Sequence, residues 1–569
     1  DKKSSRKLFQ LPERELRAGE YVLVYCSNDF TGEETYPAVI RAPFSLSTDS
    51  EHLWLTRDDG TTADFVSLHD LPVNGSFGRE EGQNGWFYFE QTTPEAKNSG
   101  GCRTIAEKPL ATVKSGQYNG VEEIVVELYD PSGRGAVYYT TGGEVSDREL
   151  TLYTEPLHLV STTVLRAVTV EDGACRSPVA TFSYFINENH TMPIISLVGT
   201  SYGEFNTFND SGNKFIECGG NVAMYADGEE LFCKPCGIKL KGFTAVLDAM
   251  KKNYGLYFYD RYGSTDITGL DLFGDGVTEY SSILLRAGMD WSFNGACLRN
   301  ELMEELCHQT APDLPCQSNR YCVLYINGRY RGIYCLKQNM NEDFYASTRG
   351  VSAGSVEEVH RDINYDTPLY NTLEFCKRND MSDLDNYAQF CEMFDIDNLI
   401  DYLVLQSYGG NIDLYNNVKF YRSMEEDDGK WKLVFYDQDE TFYRTEGAIK
   451  IIFSFYAKPF QYLTDISLSL CKNAEFKDRL LSRFAEALET TMSDENCLRV
   501  IDMLCEQLFP EIERDRARYG VSLHEWESYV GQLKKFFEDR YSLAVINNLC
   551  EDLNLTSAER TYYFDKLIH

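Results

Sequence analysis

The chain has 569 residues, with 89 acidic against 54 basic side chains and a formal charge of −35. That balance argues against a nucleic-acid or anionic-membrane partner, because both are bound through basic patches. No apolar run approaches the roughly 18 residues of a membrane span, and the length points to about three domains.

Seventeen cysteines are present, many in apolar surroundings such as those of Cys307, Cys335 and Cys505. Cysteines in such settings act as small buried hydrophobes. Cys233 and Cys236 form a single C-x-x-C. Without a second matching pair it reads as a local disulfide or free thiols rather than a zinc site.

Residues 1–112 read as all-β. Short alternating segments at Tyr21–Cys26, His52–Leu55, Asp64–Leu68 and Trp86–Phe89 are separated by Gly, Asn and Asp clusters. Residues 113–188 read as a second β module, with strand-like runs in VEEIVVELYD, AVYYTTGG, STTVLRAVTV and SPVATFSYFI at sandwich spacing. Neither module carries a catalytic constellation. From residue 189 the pattern mixes α and β, with strands in MPIISLV, GIKLKGF, YGLYFY, SSILLRA, YCVLYING and GIYCLK. Ile396, Leu399, Ile400, Leu403 and Val404 keep helical spacing up to the Gly409–Asn411 break. Amphipathic helices are predicted around Phe476–Met492, Asn496–Leu508 and Leu523–Leu549, as a supporting lobe.

The stretch Gly410–Phe442 carries the chemistry. Asp413 precedes Asn416 and Asn417; Val418–Tyr421 alternates, a polar turn follows at Glu425–Gly429, and Trp431–Tyr436 leads into Asp437 and Asp439. A hairpin of these two segments returns the second acidic pair to the end that holds the first. Carboxylates converging with an amide are hard oxygen ligands suited to Mg²⁺ and a nucleotide's phosphates. Protein kinases use a base Asp, a metal-binding Asn soon after it, and a metal-binding Asp beyond. In a chain this acidic D-x-D pairs also arise on solvated loops, but the apolar run Leu433–Tyr436 would seat Asp437 at a sheet margin.

Three resemblances cover most of the chain. LPERELRAGEYVLVYCS, FSLSTDSEHLWLTRDDGTTADFVSL and GSFGREEGQNGWFYFEQTTPEAKN resemble part of a lamin-tail-like domain, truncated or short here. YYTTGGEVS, TVLRAVTVEDG and SPVATFSYFI resemble the chitobiase/β-hexosaminidase C-terminal-like repeat, an immunoglobulin-like accessory module. The region 189–569 resembles the CotH kinase family through CGIKLKGF, AMKKNYGLYFYDRYG, ILLRAGMDWSFNGACLRNEL, YINGRYRGIYCLKQNMNEDF and LVLQSYGGNIDLYNNVKFYR followed by DGKWKLVFYDQDETF.

Together these imply two N-terminal all-β, immunoglobulin-like modules followed by an α+β atypical protein-kinase-like domain with a helical C-terminal part. The kinase resemblance implies ATP and Mg²⁺ as cofactors and phosphorylation of Ser or Thr in a secreted or surface protein. It places Asp413 as the acid that orients and accepts the proton of the attacking hydroxyl. Asn417 (or Asn416) would bind metal with Asp437 or Asp439. Lys252 is the candidate phosphate lysine, with Lys251 pointing to the opposite strand face. Arg286 and Arg299 would either offset phosphate charge or tie helices to acidic loops, with Asp290 pairing one of them. Gly332 is expected in a tight turn. One departure stands out: Gln338 and Asn341 occupy positions where the family commonly has acids, which leaves Gln338 for adenine or ribose and keeps a non-catalytic scaffold in view. No G-x-G-x-x-G loop precedes Lys252. The resemblance further implies a bacterial extracellular or cell-surface location, a signal peptide removed or outside this stretch, and cell-wall or glycan contact through the β modules.

Overall fold

A computed structural model of the chain describes residues 9–568 apart from 27–39, 43, 45, 47–49, 70, 72–74, 142–144, 146–148, 201, 243–250, 260–261, 264–265, 289–294, 361–362, 427–428, 443–460 and 540. Asp290 therefore lies outside the described residues, as does part of the turn after Glu425.

The N-terminal region is built from small strand pairs. Two antiparallel hairpins join Ser50–Thr56 to Thr62–His69 and Ser76–Gly78 to Phe87–Phe89. The first strand is shorter than its sequence pattern predicts, Val24–Cys26, and pairs in parallel with Ile40–Ala42. In the second module Ala136–Thr140, Thr163–Val170 and Ala180–Ile186 form an antiparallel sheet. Ile124–Val126 and Leu157–Leu159 form a separate pair, and Val126, Leu165, Ala167 and Tyr184 share one core with them.

The next seven long strands close into a barrel: β1 (Ile194–Gly199), β2 (Glu217–Ala226), β3 (Glu229–Lys241), β4 (Asn253–Tyr257), β5 (Ser282–Arg286), β6 (Asn319–Ile326) and β7 (Arg329–Gln338). Their order is β3-β2-β1-β6-β7-β5-β4, and β4 pairs back onto β3. Closure leaves the seven-strand ring without an edge, and the sheet continues from β3 into the second module through the pairing of Glu229 with Gly116. Leu197, Val222, Ile238, Leu256, Leu285 and Leu336 fill the interior, each such burial worth about 1.5–3 kcal/mol. Strand side chains alternate between faces. Arg286 follows interior Leu285, and Lys337 follows interior Leu336, so both cations project from the outer face toward helix α1 (Arg299–Thr310).

Beyond β7 come helix α2 (Glu342–Arg349), a three-stranded sheet and the helical lobe. The sheet orders β8 (Val356–His360), β9 (Lys419–Ser423) and β10 (Lys432–Val434), with helix α3 (Ile396–Gly409) ahead of β9 in the chain. The predicted terminal helices form at Ala474–Glu489 and at α4 (Asp494–Arg518). The segment predicted as one helix over Leu523–Leu549 is two, Leu523–Glu538 and Tyr541–Asp552.

Gly332 is not a turn residue. It lies inside β7 at φ +94°, beside a register shift between Leu324 and Tyr325 on β6. A Cβ there would stand 2.0 Å from Asp515 Oδ1. The bare backbone lets Asp515 of α4 accept the Ile333 amide at 2.8 Å and pair with buried Lys251, whose Nζ also donates to the Ile333 carbonyl at 2.9 Å. Replacing Gly332 by Ala strains the backbone and displaces a buried ion pair, and should lower unfolding stability by roughly 2–4 kcal/mol. Chemical denaturation measures this; an unchanged midpoint would show that the close approach is not required.

Candidate active site

Helix α3 ends at Gly410, which takes the left-handed conformation (φ +60°) and closes the last turn onto the Gln406 carbonyl. The chain then bends through Asn411 and Asp413 into a single 3₁₀ turn, Leu414–Asn416. The predicted hairpin is present: Lys419 pairs with Val434, Phe420 with Leu433 and Tyr421 with Lys432. Leu433, Val434 and Phe435 are buried. This register carries Asp413 and Asn417, before β9, and Asp437 and Asp439, after β10, to the same end of the sheet.

Asp413 is held by the two amides that follow it. Asn416 donates to Oδ1 at 2.6 Å and Asn417 to Oδ2 at 3.3 Å. Asn417 gives its Nδ2 to this bond, so its carbonyl end is the one that can meet a cation. Sequence reading missed Asn411, which is fully buried and joins both loops. Its Oδ1 accepts the Asp413 amide at 2.9 Å, and its Nδ2 donates to the Asp437 carbonyl at 3.0 Å. Asp437 itself sits at φ +57°, a conformation costing about 1–2 kcal/mol for a residue with a Cβ. Asn300 on α1 fixes the next peptide, accepting the Gln438 amide at 2.8 Å.

A chain of buried charge runs from these acids into the barrel wall. Arg286 Nη2 donates to Asp437 Oδ1 at 2.6 Å and to Asp439 Oδ2 at 2.5 Å. Lys337, also missed from sequence, pairs with Glu304 at 2.6 Å and Glu301 at 3.0 Å. Asn300 links the two cation sites through a 2.8 Å bond to Glu304 and a longer one to Arg286. Burial disfavours the Arg286 cation, but Asp437 and Asp439 outweigh it and raise its pKa. The carboxylates still outnumber their partners. Burial, with the negative charge of Asp437 and Asp413, pushes Asp439 up to about 6 despite Arg286. Burial and the charges of Asp439 and Asp413 push Glu440 up to about 7.

A divalent cation fits this donor set. Uncompensated negative charge crowds one place, and Glu440 Oε1 is buried without a hydrogen-bond partner. Among the described residues no three His, Cys, Asp or Glu side chains stand close enough to hold an ion by themselves. Asn417, Asp437 and Asp439 would therefore act as a mixed amide–carboxylate set completed by water and phosphate oxygens, as suits Mg²⁺.

The remaining predicted residues divide. Lys251 is structural, as described above. Lys252 is partly buried at the entrance to β4, and its neighbour Asn253 accepts the Ala287 amide at 2.7 Å. Gln338 spends both ends of its amide on protein, accepting from the Ser318 amide at 3.1 Å and donating to Asp275 at 2.7 Å. Asn341 caps α2, accepting the Phe344 amide. Both amides therefore have structural partners. Both line a cavity of about 290 Å³ with Ser282, Asn339 and Asp343. Ser282 opens β5 and Arg286 ends it, so the cavity and the acids are separated by about 13 Å of strand.

A family model described as CotH kinase protein matches residues 238–543, more than half of the chain. A second, described as chitobiase/beta-hexosaminidase C-terminal domain, matches residues 113–181. No curated protein matches the chain. No helix among the described residues is long and apolar enough to cross a membrane.

The raised acids predict a pH dependence. Unfolded, Asp439 and Glu440 titrate near 3.8 and 4.5; folded, at about 6 and about 7. Between those values the native state holds more protons than the unfolded chain, so their contribution to stability falls as pH rises from about 4 to 7. Mg²⁺ should relieve that loss, giving a larger rise in Tm at pH 7.5 than at pH 5. Equal shifts, by scanning fluorimetry, would contradict the charge assignment.

Proposed function

The chain belongs to the CotH kinase family, and from that premise we propose that it transfers the terminal phosphate of ATP, with Mg²⁺, to a serine or threonine of a protein. The observation that carries this reading is the convergence of Asp413, Asn417, Asp437 and Asp439 at one end of the β9–β10 hairpin. Bound Mg²⁺ would neutralise charge on the phosphates and fix their position. Asp413, clamped by Asn416 and Asn417, aims one carboxylate oxygen at the incoming hydroxyl and receives its proton. The cavity beside Gln338 and Asn341 takes the base and ribose, and strand β5 runs from it to Arg286 at the phosphate end. Little covalent work falls to the protein; positioning and charge do most of it.

The protein substrate, and contact of the β modules with cell wall or glycan, belong to the same proposal: a secreted or surface bacterial kinase carrying accessory modules. The similarity of residues 113–181 to a chitobiase-type C-terminal domain supports the accessory role. A second reading, a nucleotide-binding scaffold without transfer, is favoured by the structural employment of Gln338 and Asn341.

Replacing Asp413 by Asn should reduce phosphate transfer by roughly 10²–10⁴-fold while ATP with Mg²⁺ still raises the Tm. Radiolabel transfer and thermal-shift titration check the two halves. Labelling at the parental rate would remove Asp413 from the chemistry. Stabilisation by nucleotide with no transfer from the parent chain would favour the scaffold.

A further inference from the structure

We propose that Arg286 is the resident counter-ion of the metal centre: its guanidinium occupies the place a divalent cation takes, and moves onto the nucleotide's phosphates when that cation enters. The inference rests on the nucleotide-and-metal reading of the site. Its basis is the geometry of one nitrogen. Nη2 alone bridges Asp437 Oδ1 at 2.6 Å and Asp439 Oδ2 at 2.5 Å. Two carboxylates drawn onto one positive atom is the arrangement a bridging divalent ion also imposes. A cation cannot take both oxygens while Nη2 keeps them, because hard-ion contacts of 2.0–2.1 Å leave no room and the like charges repel.

The guanidinium can leave. Its Nη1 reaches Asn300 Oδ1 only at 3.5 Å, and the side chain remains 19% exposed. Strand β5 holds its Cα while the long side chain turns. Its planar fork also matches phosphate oxygens better than an ammonium would. Without Arg286 the two acids would repel each other inside a part-buried site. With it, they are held together around one nitrogen, at the cost of competition with the ion.

A thermodynamic consequence follows. Metal alone must displace Arg286, whereas metal with nucleotide gives the guanidinium an anionic destination. Arg286 therefore adds to the positive, reciprocal coupling between metal and nucleotide.

The test is Mn²⁺ binding to the full chain, followed by the EPR signal of free Mn²⁺, with and without a non-hydrolysable ATP analogue. Arg286→Gln should bind Mn²⁺ alone about tenfold more tightly than the parent, and bind the analogue about tenfold more weakly at saturating Mn²⁺, a coupling of ordinary size. Arg286→Lys keeps the charge but cannot span Asn300 and both acids from one planar group, and should fall between. A folded Arg286→Gln that binds Mn²⁺ no tighter than the parent overturns the proposal. If that variant does not fold, unchanged Mn²⁺ affinity in Arg286→Lys overturns it, as does an absence of Mn²⁺ binding in all three proteins. The phosphotransfer reading fails separately: tighter Mn²⁺ binding by the variant, beside a parent chain that labels no protein, leaves the counter-ion standing and removes the kinase chemistry.

Discussion

A guanidinium shared by two carboxylates ties the barrel to the loops that follow the β9–β10 hairpin. Arg286 stands on the outer face of β5 because interior Leu285 precedes it, and that parity aims it at Asp437 and Asp439. The same parity on β7 aims Lys337 at Glu301 and Glu304 of α1. Asn300 joins the two pairs and also fixes the peptide after Asp437. Removing one member of such a network leaves an opposite charge buried and uncompensated, a loss of about 3–5 kcal/mol. Folding and the preparation of the site are therefore one electrostatic problem. The barrel lobe supplies cations, the hairpin loops supply acids, and α1 is held between them.

The parts of this arrangement that were legible in the sequence are those that depend on local pattern. The alternation read in Val418–Tyr421 and in Trp431–Tyr436, with a polar turn between, is a nearest-neighbour signal, and the hairpin it predicted brings Asp413 and Asn417 to the same end as Asp437 and Asp439. What the pattern could not express was contact across long chain separation. Asn411 looks like one more turn residue until Asp437 is seen to need its amide. Lys337 looks like the polar end of a strand until Glu304, 33 residues earlier, meets it. Gly332 read as a turn because glycine tolerates positive φ; the actual demand is the approach of Asp515 from α4. A signal was available in N-E-L-M-E-E, where Asn300, Glu301 and Glu304 share a helical face, but amphipathic surface helices carry the same spacing.

Among the described residues, the modules ahead of the barrel add no acid or cation to the site. The second is joined to the barrel by a single strand pairing, Gly116 with Glu229. A buried cluster supports the same junction: His190, between Glu511 of α4 and Tyr325 of β6, lies four residues beyond the last strand of that module. Gln117 clamps the backbone of His190 from the module side through two hydrogen bonds. The accessory module meets the barrel at β3 and β6, neither of which pairs with β5, and the face bearing Arg286 and Lys337 packs against α1 and the hairpin loops.

The central claim is that Asn417, Asp437 and Asp439 gather around one divalent ion while Asp413 stays clear to meet the hydroxyl. Anomalous diffraction from crystals grown with Mn²⁺ and a non-hydrolysable ATP analogue tests it directly. The account predicts one strong peak in contact with an oxygen of each of those three side chains and of the analogue's phosphates. A peak lodged elsewhere, or nucleotide bound with no ion between these residues and its phosphates, would contradict it.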